Sequence, residues 1–183
     1  MIFGDPNTFA ILMEPVPVWS EDAGYTNGLF HFIINGKLFP DNASVATLDG
    51  DISCLSEDNA LVTATEDKEL FMADKHIAFT AMLNKMLPEL MNPDANIPDD
   101  FVTDYRYQAS TYNLENNMCY VFAVSHNSKL RILAAKTSYL LGNDSDGYQW
   151  ENFMTLDVQE IILPCDEVQK IIFSTRNFYK EII

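Results

Sequence analysis

The run Leu29-Phe30-His31-Phe32-Ile33-Ile34, followed at once by Asn35-Gly36 and Lys37-Leu38-Phe39, leaves the first third of this chain little conformational freedom. A stretch apolar in all but His31 suits a central strand covered on both faces. Asn-Gly tolerates positive φ at both central positions of a two-residue turn, so it joins such runs as a tight hairpin. Upstream, Thr8 to Met13 reads as a partner strand, and Pro15 and Pro17 then take the chain out of the ladder by removing backbone donors. Ser20 to Asn27, polar and containing Gly24, reads as a loop.

Beyond the hairpin, Val45 to Leu48 reads as a short strand and Leu48 to Leu55 as either a strand or one or two helical turns. Glu57 to Lys68 is acidic and reads as a loop, interrupted at Ala60-Leu61-Val62. Asp74 has the position of a helix N-cap. From Ile77, the residues Phe79, Met82, Leu83, Met86, Leu87 and Leu90 recur at helical spacing, which predicts a helix ending near Pro88. Asn92 to Asp100 connects it to an alternating segment, Asp104 to Tyr112, read as a strand with Tyr105, Tyr107 and Ala109 on one side. Met118 to Val124 and Leu130 to Ala135 flank the turn Ser125-His126-Asn127-Ser128 as a second hairpin. Gly142 to Gly147 reads as a polar loop and Val158 to Leu163 as the last strand. Pro164 and Asp166-Glu167 then open a terminal helix, with Val168, Ile171, Ile172, Thr175, Phe178 and Tyr179 as its buried stripe. Strands in hairpin-sized groups with few helices between them predict an α+β fold. Its mainly antiparallel sheet carries a mid-chain helix and a C-terminal helix packed on it, in one domain over 1–183.

The charge is uneven. Residues 1–104 hold 18 Asp and Glu against 4 Lys and Arg, whereas residues 105–183 hold 9 against 7. The total of −16 exceeds the roughly 2–8 net charges that keep a small domain soluble. Such a field repels nucleic acid and anionic membrane and attracts basic partners. The eleven basic residues are scattered, so no phosphate-binding cluster is present. With 48% apolar residues, the chain has ample material for a core despite this charge. No apolar run has bilayer-spanning length, and the opening Met1-Ile2-Phe3-Gly4-Asp5-Pro6 lacks the features of a signal peptide, so a cytoplasmic location is expected.

The templates of catalysis fail on residue type or spacing. Phosphate-binding and dinucleotide-binding glycine motifs are missing, as is the nucleophile elbow. Cys54, Cys119 and Cys165 lack zinc-type or redox spacing and read as buried thiols. His31 reads as a core histidine, and His126 falls in a turn. Asp144-Ser145-Asp146-Gly147 resembles the middle of a calcium loop, but Gly142 and Phe153 stand where acids are required. Asn42-Ala43-Ser44 and Asn143-Asp144-Ser145 match the glycosylation triplet, which is irrelevant in a cytoplasmic protein. No cofactor or metal is expected.

Several blocks resemble the bacterial immunity protein 42 family of polymorphic-toxin and contact-dependent inhibition systems. They are Met1 to Pro6 with Phe9-Ala10-Ile11 and Trp19, then Asn27 to Gly36 running on to Pro40-Asp41. Tyr105-Arg106-Tyr107, Val121 to Ser125, Arg131-Ile132-Leu133 and Glu160 to Pro164 follow. The resemblance implies a non-enzymatic protein that binds the C-terminal domain of a cognate toxin. With the charge, it makes that domain basic, as a nuclease would be. The candidate contact residues are Glu21, Asp22, Tyr25, Glu57, Asp58, Glu66, Asp67, Glu69, Asp99, Asp100 and Asp104, with Tyr25, Tyr112, Tyr148 and Trp150 as candidate aromatic anchors. The alternatives are a hydrolase or transferase assembled in space around His31 or His126, and a general nucleic-acid mimic.

Overall fold

The computed structural model describes residues 1–20 and 24–182. Its first half runs β1 (Ile2–Gly4), β2 (Phe9–Pro15), β3 (Asn27–Ile34), β4 (Lys37–Phe39) and β5 (Ala46–Thr47). Helices α1 (Leu48–Cys54), α2 (Ala60–Thr63), α3 (Lys68–Met72), α4 (Lys75–Met86) and α5 (Pro88–Met91) follow. The second half comprises α6 (Tyr112–Asn116), β6 (Cys119–His126), β7 (Lys129–Lys136), β8 (Ser138–Asn143), β9 (Gly147–Asn152), β10 (Gln159–Pro164) and α7 (Cys165–Ile182). The fold is α+β, with antiparallel pairing within every sheet.

The first sheet has the order β1-β2-β3-β4, and β5 also pairs with β3. As the sequence predicts, β3 is central and buried almost throughout, and Asn35-Gly36 turns it into β4 with positive φ at both residues. Pro15 closes β2 opposite Gly28, where the backbones approach so closely that a Cβ on Gly28 would lie 2.2 Å from the Glu14 carbonyl oxygen. The opening strand β1 is an element the sequence pattern did not announce.

The second sheet, β10-β7-β6, is covered on both faces. On one side Cys119, Val121, Ala123, Leu130, Ile132 and Ala134 meet the first sheet and α7 in the larger core. On the other, Tyr120, Phe122, Val124, Leu133 and Ala135 meet Ala78, Phe79, Met82, Leu83 and Met86 of α4. Phe79 stands edge-on to Phe122 at 5.3 Å between ring centres. Helix α4 is capped as expected, with the Asp74 carboxylate accepting the His76 and Ile77 N–H groups. Ile77 itself is exposed, because the buried stripe begins one residue later. The terminal helix buries Val168, Ile171, Ile172, Thr175 and Tyr179, and sets Phe178 against Phe3 of β1.

Two readings need correction. Asp104 to Tyr112 is not a strand: a turn closed by Gln108 N–H on the Tyr105 carbonyl breaks the extension, leaving a single bridge to Phe122. Tyr105 is consequently exposed while Tyr107 is buried. Gly142 to Gly147 is not a loop but the end of a ribbon, β8 paired with β9, whose turn is confined to residues 144–146. Helix α3, which the sequence pattern did not announce, begins where the acidic stretch Glu57 to Lys68 ends, and Asp67 caps it by accepting the Leu70 N–H. The expected antiparallel pairing is distributed over three sheets.

Arg131 is the buried charge that ties these parts together. Its side chain is 3% exposed; Nε donates to Glu160 at 2.7 Å, and Nη1 lies within 3.0 Å of the Leu70, Phe71 and Ala73 carbonyls at the end of α3. Those carbonyls have no intrahelical partner, so the guanidinium closes the helix and anchors it to the sheet. Lysine has neither the fork nor the reach in two directions. R131K is expected to lower stability by about 2–4 kcal/mol in urea unfolding, through carbonyls left without donors and an unpaired carboxylate. A loss below about 0.5 kcal/mol would mean that water replaces the guanidinium freely.

Candidate functional site

The acidic stretches of the first half are drawn together by the free edge of β6. Ser125 N–H donates to the Thr65 carbonyl and Asp67 N–H to the Ser125 carbonyl; further along, Ala109 N–H donates to Val121 and Ala123 N–H to Tyr107. Two segments some forty residues apart in sequence are thus laced onto one strand, and Thr65 Oγ1 donates to the Arg106 carbonyl between them at 3.2 Å. The gap left at the surface is an open groove of about 640 Å³ lined by Asp58, Thr63, Thr65, Val102, Thr103, Asp104, Tyr105 and Arg106. Its apolar wall is prominent, with Val102 82% and Tyr105 58% exposed. A second hollow, lined by Met86, Leu87, Leu90, Ile97 and Phe101 among others, adjoins it at Thr103.

The candidate acids differ in how free they are. Asp104 grips Arg106 through both carboxylate oxygens, at 2.9 and 2.7 Å. Asp67 caps α3 and accepts the Tyr107 hydroxyl at 2.9 Å, while Lys85 lies over the Tyr107 ring. These contacts hold Asp104 below the usual carboxylate range through the Arg106 hydrogen bond, and Asp67 through the backbone N–H of Leu70. Burial and the hydrogen bond to Asp67 push Tyr107 up to about 12. Asp58 is exposed on the groove rim, with Glu57 beside it. Glu66 is exposed opposite Ser125, its carboxylate 3.2 Å from His126 Nδ1. Glu69 is exposed on α3, and Asp99 and Asp100 are exposed before Phe101, though they line neither hollow. Tyr25 is exposed next to Thr26, whose N–H is held by Asp49 of α1, and lines no part of the groove. Glu21 and Asp22 lie outside the described residues.

The remaining chemistry is structural. His31 is buried with Nδ1 3.0 Å from the Pro40 carbonyl oxygen, the core role expected of it. Cys119 is buried beside an apolar pocket of about 410 Å³ lined by Leu38, Phe39 and Phe153, with the ion pairs Lys37–Asp157 and Lys136–Asp41 at its mouth. Burial pushes the Cys119 thiol up to about 12, so it is no thiolate at neutral pH. Among the described residues, no three His, Cys, Asp or Glu side chains are grouped to hold a metal ion, and no helix is long and apolar enough to cross a membrane. Of the candidate anchors, Tyr148 and Trp150 fall on the exposed ribbon β8–β9, whose strands the sequence hid because neither face is buried.

Antiparallel sheets, helices laid against two of them, and a carboxylate-rimmed groove at a strand edge define an acidic α+β protein whose distinctive chemistry lies on its surface. The chain belongs to the immunity protein 42 family, which it matches over residues 1–178. In fold it is similar to the crystal structure of CdiI from Burkholderia dolosa AUO158, at 24% identity and a TM-score of 0.68, covering 95% of this chain and 97% of that one. No curated protein matches the sequence.

The two spent carboxylates contribute to the acid limb of the stability curve. Each has a folded pKa below its ordinary value of 3.8, so its contribution is present at neutral pH and is lost as pH falls through the folded pKa. D67N/D104N is expected to be less stable than wild type at pH 7 and to show a flatter fall in melting temperature below about pH 4. Identical acid limbs for the two proteins would show that neither contact survives in solution.

Proposed function

We propose that this protein is an immunity protein that neutralises a toxin domain produced by its own cell, through a stoichiometric protein–protein interface and without chemistry of its own. Membership of the immunity protein 42 family supports this reading, and the likeness in fold to CdiI agrees with it. It acts in the cytoplasm, where such a toxin meets its target.

The partner surface is basic, and the docking region is the groove between residues 58–65 and 102–106 with its flanking acids. The observation that carries this is the convergence of two distant acidic segments on one strand edge, in a chain of net charge −16. Asp58 and Glu57 are the charges left free to meet a partner, with Glu66 exposed beside His126, since Asp67 and Asp104 are engaged internally. Tyr105 and Val102 supply apolar area beside them, and clusters of this kind hold an interface once charge has steered it into register. A nuclease, whose substrate cleft must be positive, is the partner type that this surface complements best.

Association with the C-terminal domain of the co-encoded toxin is expected to approach ~10⁸ M⁻¹s⁻¹ at low salt and to slow by about tenfold or more between ~50 and ~500 mM salt. E57Q/D58N/E66Q should lower the association rate and its salt dependence while leaving dissociation nearly unchanged. Stopped-flow mixing measures both. An association rate insensitive to salt, or unchanged in the triple variant, would remove the groove from the encounter; failure of the wild-type chain to rescue cells expressing that toxin domain would remove the toxin reading itself.

A further inference from the structure

We infer that the ribbon β8–β9 is a second docking element, an apolar arm that inserts into a groove with a basic rim on the same toxin domain. This rests on the toxin-binding reading above and extends it to a surface separate from the acidic groove.

The ribbon is built as a freestanding object. Among the described residues, its strands pair with each other and with no other strand, and residues 140–150 are all exposed. Two strands alone are marginal in water, so an isolated ribbon needs local fastenings or a partner. The fastenings are visible at the tip. Asn143 Oδ1 accepts the N–H groups of Ser145 and Asp146, Asn143 Nδ2 donates to Asp146, and the Tyr148 hydroxyl donates to Asp144. Gly142 has φ of +136°, and a Cβ there would lie 2.1 Å from the Gly147 carbonyl oxygen, so the strands close more tightly than a side chain permits. At the base, Asn152 donates to the Leu90 carbonyl and Tyr139 lies against Phe153. The tip that resembles a failed calcium loop in the sequence is thus a hairpin clasp.

What this clasp presents is unusual for a solvated hairpin. The pairing sets Leu140 opposite Trp150 and Gly142 opposite Tyr148, so Leu140, Trp150 and Tyr148 share one face. They are 51%, 43% and 57% exposed. Tryptophan and tyrosine are the residues that most often dominate binding energy when buried at an interface. A rigid arm carries them at low cost, because the ordering entropy is spent in folding rather than in binding.

Charge selects the occupant. Between Lys136 and Lys170 the chain has no Lys or Arg, and the ribbon itself carries Asp144, Asp146 and Glu151. A second copy of this chain would bring the same sign of charge and a net −16 to the contact, and nucleic acid or anionic lipid would be repelled likewise. A protein with a basic rim around an apolar groove satisfies both the carboxylates and the aromatic face. Within the function proposed above, that protein is the toxin.

The test uses the full chain and the C-terminal domain of the co-encoded toxin. L140T/W150T removes the apolar face while keeping strand-forming residues, and L141T/Q149T makes the same change on the opposite face. Affinity is expected to fall at least about tenfold in the first variant, through faster dissociation that does not depend on salt, and to stay within about twofold in the second. Independently of any disruptive substitution, W19F labelled with fluorotryptophan leaves Trp150 as the single fluorine probe, and its resonance should shift on addition of unlabelled toxin domain. Binding of L140T/W150T within about twofold of wild type, or a resonance that does not move while wild type binds, overturns the arm and leaves the toxin reading standing. Absence of binding by the wild-type chain overturns both.

Discussion

The edge of β6 is the constraint on which the surface of this protein depends. An edge strand exposes a row of backbone donors and acceptors that must be satisfied or shielded. Here the second sheet is buried on both faces, so an uncovered edge would lie at the brink of two cores. The chain meets the demand with two short laces instead of another strand, Thr65 to Asp67 at one end and Tyr107 to Ser110 at the other. Each lace makes only one or two ladder contacts and then turns away, which leaves the groove between them. A fourth full strand in that place would have satisfied the same backbone groups and erased the site.

Arg131 shows how the lacing is kept in place. The chain leaves β6's edge at Asp67, forms α3 and then enters α4, both packed against the smaller core. The guanidinium receives the end of α3 on one side and Glu160 of β10 on the other, so one buried charge fixes the path between the groove and the smaller core. Its contribution is to direction more than to net stability, since the desolvation of such a group offsets much of what its bonds return.

The legible parts of the fold were those in which a residue's neighbours in sequence are also its determinants in space. Asn35-Gly36 names its own turn, Asp74 its own helix start, and the alternating burial of α7 its own face. The illegible parts depend on partners far along the chain. Tyr105 and Tyr107 look equivalent in a strand pattern, yet a turn at Tyr105 and the Asp67 carboxylate, forty residues before Tyr107, separate their fates. The ribbon β8–β9 escaped for the opposite reason: with both faces exposed it carries no alternation to detect, and its Asn-Asp-Ser-Asp-Gly tip looks like any polar loop. The acidic residues were visible as a class, but their convergence was not, because it is made by backbone bonds to β6 that leave no trace in composition.

That convergence also divides the acids into two kinds that composition cannot distinguish. Asp67 and Asp104 are engaged by a helix N-terminus, a tyrosine hydroxyl and an arginine, and Arg106 offsets the charge of Asp104. Glu57, Asp58 and Glu66 face solvent, where the field of each reaches about a Debye length, ~8 Å at physiological salt. Within the function proposed above, a basic partner senses these exposed acids first, at long range. Asp104, paired with Arg106, forms part of the groove's wall beside Tyr105. Division of this sort lets a strongly charged protein keep an ordered binding surface: the groups that attract are not the groups that hold the fold, so tuning the first to a new partner leaves the second untouched.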